Sequence, residues 1–364
     1  MNIPDSIRVF ADEERGEEFL SNIWGRRPVF TCTIGNTETA KIPGLSAAGA
    51  VPEITDRTPA ADMELLLYGR CRSIEGVPVT PDGIPTPAII TMSALQLTDM
   101  PTMVVNGGTF VRPQTPYVDL GGQGGSDIRT TGPAVQGTEE VFGRAVQLGR
   151  SLAGMSDYLV LGESVAGGTT TALAVLAALG YDADGKVSSS LPKNPHPLKA
   201  EVVQRAISDS GLEEDPHPLE AIEAVGDPMI PAAAGLAVGA ASRIPVLLSG
   251  GTQMCAVLAV VKGIDPSVLG NLALGTTKWI IDDRESDILD LVAQCARVPV
   301  LASGLSFSGS RYHGLRVYEE GVVKEGVGAG GTTIAAVASS KGDLDMEVML
   351  SRIEENYQDL CHGR

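Results

Sequence analysis

One segment constrains this chain more than any other: Leu159-Val160-Leu161-Gly162-Glu163-Ser164-Val165-Ala166-Gly167-Gly168-Thr169-Thr170-Thr171. Apolar residues run into a glycine-rich turn, and hydroxyl residues then open an Ala-rich stretch over 169–179, closed by Gly180. That order is a buried strand, a tight turn and a helix start. Backbone N–H groups at such a start attract anions, and the helix dipole adds to the attraction. The pattern recurs where a strand-like 244–248 passes through Gly250-Gly251 into a helical 252–261, and where a strand-like 102–105 ends in Asn106-Gly107-Gly108. Short apolar strands alternating with helices predict an α/β fold with a doubly wound, mostly parallel sheet. Ligands bind beyond the carboxyl ends of the strands of such a sheet.

The remaining elements follow the same logic. Helical patterns cover 12–22, 60–69, 139–153, 198–208, 228–241, 330–339 and 344–359. Further strands are expected at 28–34, 88–92, 278–282 and 298–302, with Gly/Pro-rich loops at 35–59 and 76–87. A length of 364 residues suggests two domains, or one large domain with an appendage.

Lys and Arg number 27 against 45 Asp and Glu, a formal charge of −18, and aromatic residues are only 4%. Such a surface repels nucleic acid and anionic lipid and offers no base-stacking platform. Cys32, Cys71, Cys255, Cys295 and Cys361 are scattered and form no Cys-x-x-Cys pair. That is reduced, cytoplasmic usage and not a zinc site. The acidic start has no apolar signal core, no apolar run reaches membrane length, and the four histidines lack metal-ligand spacing.

Glu163 stands at a strand end, where ligands bind, which favours a site over a merely capped helix. The turn is neither a Walker motif nor a Rossmann fingerprint. Glu325 precedes the flexible run Gly326-Val327-Gly328, which lets a ligand approach its carboxylate; taken alone, the pattern fits a solvated surface residue better. Gly125-Ser126-Asp127 reads either as a loop over a ligand or as a connector. Lys199, at a helix start where a cation opposes the dipole, reads either as a phosphate partner or as a solvated lysine.

Five segments in order resemble the nicotinate-nucleotide:dimethylbenzimidazole phosphoribosyltransferase family, its archaeal and cyanobacterial branch above all. They are Gly125-Ser126-Asp127-Ile128 with Pro133-Ala134, Gly162 to Thr170, Lys199 with Val202-Val203-Gln204-Arg205-Ala206, Arg243-Ile244-Pro245-Val246, and Lys324-Glu325-Gly326-Val327-Gly328-Ala329. The family's Asp-Gly-Phe turn reads Ser249-Gly250-Gly251 here, and its Asn-Thr-Thr reads Gly168-Thr169-Thr170.

The resemblance implies an α/β nucleotide-binding catalytic domain over 88–335. A smaller, mainly helical region from both chain ends, 1–87 and 336–364, would help form a base pocket. It implies transfer of phosphoribosyl from nicotinate mononucleotide to a benzimidazole-type base, giving an α-ribazole phosphate and nicotinate for the cobalamin lower ligand. Transfer to adenine or a phenol, or non-catalytic nucleotide binding, are the alternatives. Glu325 would take the base's ring proton, and Glu163 would order the ribose or share the proton. Gly167, Gly168, Thr169, Thr170 and Lys199 would hold the phosphate, with Gly125, Ser126, Asp127, Gly250, Gly251 and Gly326 completing the substrate site. No metal or cofactor is implied, and the enzyme would be a homodimer.

Overall fold

The structure is a computed structural model that describes residues 3–46, 52–76 and 84–362. Its strands are β1 (Ile7–Phe10), β2 (Pro28–Gly35), β3 (Thr102–Gly108), β4 (Val118–Asp119), β5 (Tyr158–Ser164), β6 (Val246–Ser249), β7 (Leu272–Thr277) and β8 (Val300–Ser303). Successive strand residues feed two different cores. On β5, Leu159 and Leu161 pack into one, and Tyr158 and Val160 into the other. Leu272 and Leu274 of β7 likewise face away from Ala273. A sheet buried on both faces needs apolar residues at every position, which is why these strands read as continuous apolar runs.

The strands form one sheet in the order β1-β8-β7-β6-β5-β2-β3-β4. All neighbours are parallel except β1, which pairs antiparallel with β8. From β2 the chain steps one way to β3 and β4, then returns to place β5 on β2's other side and continues to β8. The β2/β5 boundary is therefore a topological switch point, where two diverging loops leave a crevice.

Two expected strands are helical. Ala88–Thr98 is a helix, not a strand at 88–92. Its β-branched opening mimics a strand, but Ala88 through Leu95 are all buried, so no polar face marks the helical period. Residues 278–282 contain the short helix Lys278–Ile281, and the strand lies just before it, on β7. The apolar signal of β7 is interrupted by Gly275, which lets the helix Ala329–Ser339 approach: a Cβ there would stand 3.0 Å from the Gly331 Cα. Residues 1–87 supply β1 and β2, and β2 sits between β5 and β3, inside the sheet. No helix among the described residues is long and apolar enough to cross a membrane.

Candidate active site

A cavity partly open to solvent lies at the carboxyl ends of β5, β6 and β7. Glu163 reaches it from the end of β5, and Glu325 from the segment before Ala329–Ser339. Gly251 separates them: a Cβ on it would lie 3.7 Å from the Glu325 Cβ, and one on Gly250 3.8 Å from Glu163 Oε1. The two turns therefore converge as the strand–turn–helix pattern requires.

Glu163 is buried and Glu325 half-buried. Burial, reinforced by the charges of Glu325 and Asp227, pushes the Glu163 pKa up to about 8. Gln253 Nε2 donates to Glu163 Oε2 at 3.3 Å. Burial lifts Glu325 to about 7, against donation from the Gly326 N–H at 3.1 Å and the Gly330 N–H at 3.2 Å. Gly330 opens the helix Ala329–Ser339, so Glu325 lies at a positive helix end. At neutral pH the first carboxyl keeps its proton, and the second is poised to accept one.

The backbone that presents Glu325 is strained. Val323, Lys324 and Val327 have φ of +69°, +45° and +56°, a left-handed region that β-branched residues avoid. Lys324, fully buried, anchors this stretch. Its Nζ pairs with Asp283 Oδ2 at 3.0 Å and donates to the Ser189 carbonyl at 3.1 Å. The Val323 N–H donates to the Ser190 carbonyl at 3.1 Å. The serines at 188–190 line the cavity, as do Gly167 to Thr169.

Beneath that end lies Lys199. It does not line the cavity, but its Nζ donates to Thr169 Oγ1 at 2.9 Å and to the Ser188 carbonyl at 2.7 Å, and both residues do. Burial, then the Lys324 charge, pulls Lys199 down to about 7. It is fully buried and makes no ion pair among the described residues, so the solvated reading is excluded. Hydroxyls, a helix start and a buried lysine without an ion-pair contact make this end suited to an anion.

Part of the lining is apolar, with Leu45, Ile54, Ile74, Ile84 and Pro87 all from the first 87 residues. One carboxylate interrupts it. Asp62, on the helix Thr58–Tyr68, accepts from Ser164 Oγ at 2.8 Å and Thr86 Oγ1 at 2.9 Å. Burial raises it to about 6 despite those two donors.

The structure thus gathers Glu163, Glu325, Gly167, Gly168, Thr169, Gly251 and Gly326 around one cavity, with Lys199 behind it. It leaves others out. Gly250 lies behind, its N–H on the Gly275 carbonyl. Thr170 is buried, its N–H on the Gly167 carbonyl. Gly125, Ser126 and Asp127 do not line this cavity; the latter two border a separate surface cleft, where Asp127 pairs with Arg129 at 2.6 Å. Ser126 takes the Thr37 hydroxyl on its carbonyl at 3.1 Å. Asp62, the 188–190 serines, Lys324 and Gln253 escape sequence reasoning as site residues. Of these, Lys324, adjoining Glu325, and Gln253, just after the Gly250-Gly251 turn, carry a local signal; the others come from distant parts of the chain.

Residues 91–278 match a family model described as phosphoribosyltransferase. A UPF0284 protein of Sulfolobus acidocaldarius is 49% identical over 331 residues, 91% of this chain and 94% of that one. A UPF0284 protein of Methanothermobacter thermautotrophicus is 41% identical over 362 residues, covering 98% of each. In fold, the chain is similar to CobT from Thermus thermophilus, at a TM-score of 0.57 and 17% identity over 89% of each chain. It is equally similar to a structure named as nicotinate-nucleotide-dimethylbenzimidazole phosphoribosyltransferase of the same organism, with TM-score 0.57 and 19% identity over 91% of this chain and 92% of that one.

Proposed function

Since the chain belongs to the nicotinate-nucleotide:dimethylbenzimidazole phosphoribosyltransferase family, a family of pentosyltransferase enzymes, we infer that it moves phosphoribosyl from nicotinate mononucleotide to an aromatic nitrogen base of the benzimidazole type. The product is an α-ribazole phosphate for a cobalamin lower ligand. The observation that carries this reading is the pair of carboxyls with raised pKa, Glu163 and Glu325, lining one cavity together with the Gly167 to Thr169 turn.

The base's ring nitrogen attacks the anomeric carbon, the bond to nicotinate breaks with its electron pair, and the configuration inverts. The proton leaves the base for Glu325, whose pKa near neutrality suits a general base. Glu163, protonated at neutral pH, donates a hydrogen bond to a ribose hydroxyl. Gly167, Gly168, Thr169 and the Ser188 loop receive the phosphate, with Lys199 beneath as counter-charge. Holding both reactants in one cleft supplies further rate through orientation. The proposal includes a cytoplasmic homodimer, which light scattering would reveal as a particle of twice the chain's mass.

The test mixes protein, nicotinate mononucleotide and a benzimidazole, and follows nicotinate and ribazole phosphate. Wild type is expected to release both together. Glu325→Gln retains shape but cannot take the proton, so turnover falls by ~10²–10⁴ with nucleotide affinity retained. Single-turnover rates within a few-fold of wild type overturn the assignment and move the role to Glu163.

A further inference from the structure

Two buried acids on the helix Thr58–Tyr68 have different partners. Glu64 takes backbone N–H groups of Arg72, Ser73 and Gln114, at 2.5, 2.6 and 2.9 Å, and the Ser73 hydroxyl. Its role is to brace a loop, and its carboxyl is held below the ordinary value: burial opposes this, but those donors prevail. Asp62 receives no backbone donor and makes no ion pair among the described residues. Its two partners, the Ser164 and Thr86 hydroxyls, border the same cavity as Asp62 itself. One donor rests on each carboxylate oxygen, and each oxygen keeps a further lone pair.

A carboxylate in an apolar wall is costly unless something donates to it. The cavity that Asp62 borders is also lined by the apolar side chains of Ile54, Ile74, Ile84 and Pro87, while Thr169 and Ser188 contribute polar lining. We propose that Asp62 selects the acceptor: it accepts a hydrogen bond from an amino or hydroxyl substituent, or a second ring N–H, of the base. The substrate class is then a donor-bearing heterocycle, and a ring carrying only methyl groups is disfavoured because it leaves the carboxylate without its donor. This rests on the transfer reading above and goes beyond it in naming the acceptor's chemistry.

The experiment compares 5-aminobenzimidazole, adenine and 5,6-dimethylbenzimidazole with wild type, Asp62→Asn and Asp62→Leu. It follows both kcat/KM and calorimetric affinity for each base in the presence of nicotinate mononucleotide. Wild type is expected to favour the amino-bearing bases by about 10- to 100-fold. Asp62→Leu should abolish or reverse the ratio. Asp62→Asn, which keeps polar contacts to Ser164 and Thr86, should reduce it and preserve the fold if leucine does not. A wild-type preference for the dimethyl ring, or a ratio unmoved in the folded variants, overturns the proposal. So does a nucleotide KM that rises equally with every acceptor, since Asp62 would then serve the ribose. If wild type discriminates among the bases in binding yet releases nicotinate with none, the transfer reading fails and the selection by Asp62 stands.

Discussion

Lys199 is an ammonium with no carboxylate beside it, held by one hydroxyl and one carbonyl and lowered to about 7 by burial and by Lys324. At pH 8 it is largely neutral before any ligand arrives. A phosphate on Thr169 and Ser188 favours the charged form, so binding should draw a proton from solvent. Calorimetry of nicotinate mononucleotide at pH 8, in buffers of different ionisation enthalpy, is expected to show uptake of a fraction of a proton. Lys199→Met should take up none and bind about 10- to 100-fold more weakly. Equal uptake by the two proteins assigns the proton to another group. The same residue shows how far sequence reading reaches. Lysine at a helix start, after a proline-rich approach, marks a place where a cation is unfavourable, but its burial follows from the packing of the loop at Ser188 against the helix Gly168–Ala178.

The helix Ala329–Ser339 begins where β7 ends, and its start leaves no room for side chains. A Cβ on Gly330 would overlap the Thr276 carbonyl group, while the Gly330 N–H holds Glu325. Gly330→Ala is therefore expected to cost about 2–4 kcal/mol of stability by overpacking. It should also lower turnover more than nucleotide affinity, because the carboxylate's own donor moves. Thermal melting and nucleotide titration check this, and an unchanged melting temperature means the helix slides freely over the strand. Elements like this are legible in the sequence because a glycine turn after an apolar run admits few structures. Residues 88–92 are not legible as a helix, since a helix buried on every side has no polar stripe to reveal its period. Nor is the placement of Gly125 to Asp127 legible, since it depends on hydroxyls of Thr37 and Thr39, 89 and 87 residues from Ser126.

Across the whole molecule, the two acids couple function to stability. Folded Glu163 and Glu325 titrate near 8 and 7, against an ordinary value of 4.5. Between pH 4.5 and about 8 the unfolded chain has released protons that the folded chain keeps. Stability from these groups is thus greatest at low pH and falls as pH rises through that window. Glu163→Gln removes the larger part of that slope. Chemical denaturation at about pH 5 and about pH 8 is expected to show the variant gaining on wild type by about 1–3 kcal/mol between the two conditions. A constant difference means that Glu163 ionises like an ordinary surface carboxyl in the folded protein.

The excursion between β2 and β3 carries most of the apolar wall and Asp62, whereas Glu163, the turn at Gly167, Lys199 and Glu325 lie at the end of β5 or beyond it. On the proposed assignment, a lineage can rewrite one contiguous stretch of chain and change which ring is accepted, without disturbing the residues proposed to hold the sugar phosphate. Donor and acceptor recognition are in this sense separately heritable, and an exchange of that stretch between relatives would carry a taste for one ring into a chain that had evolved for another.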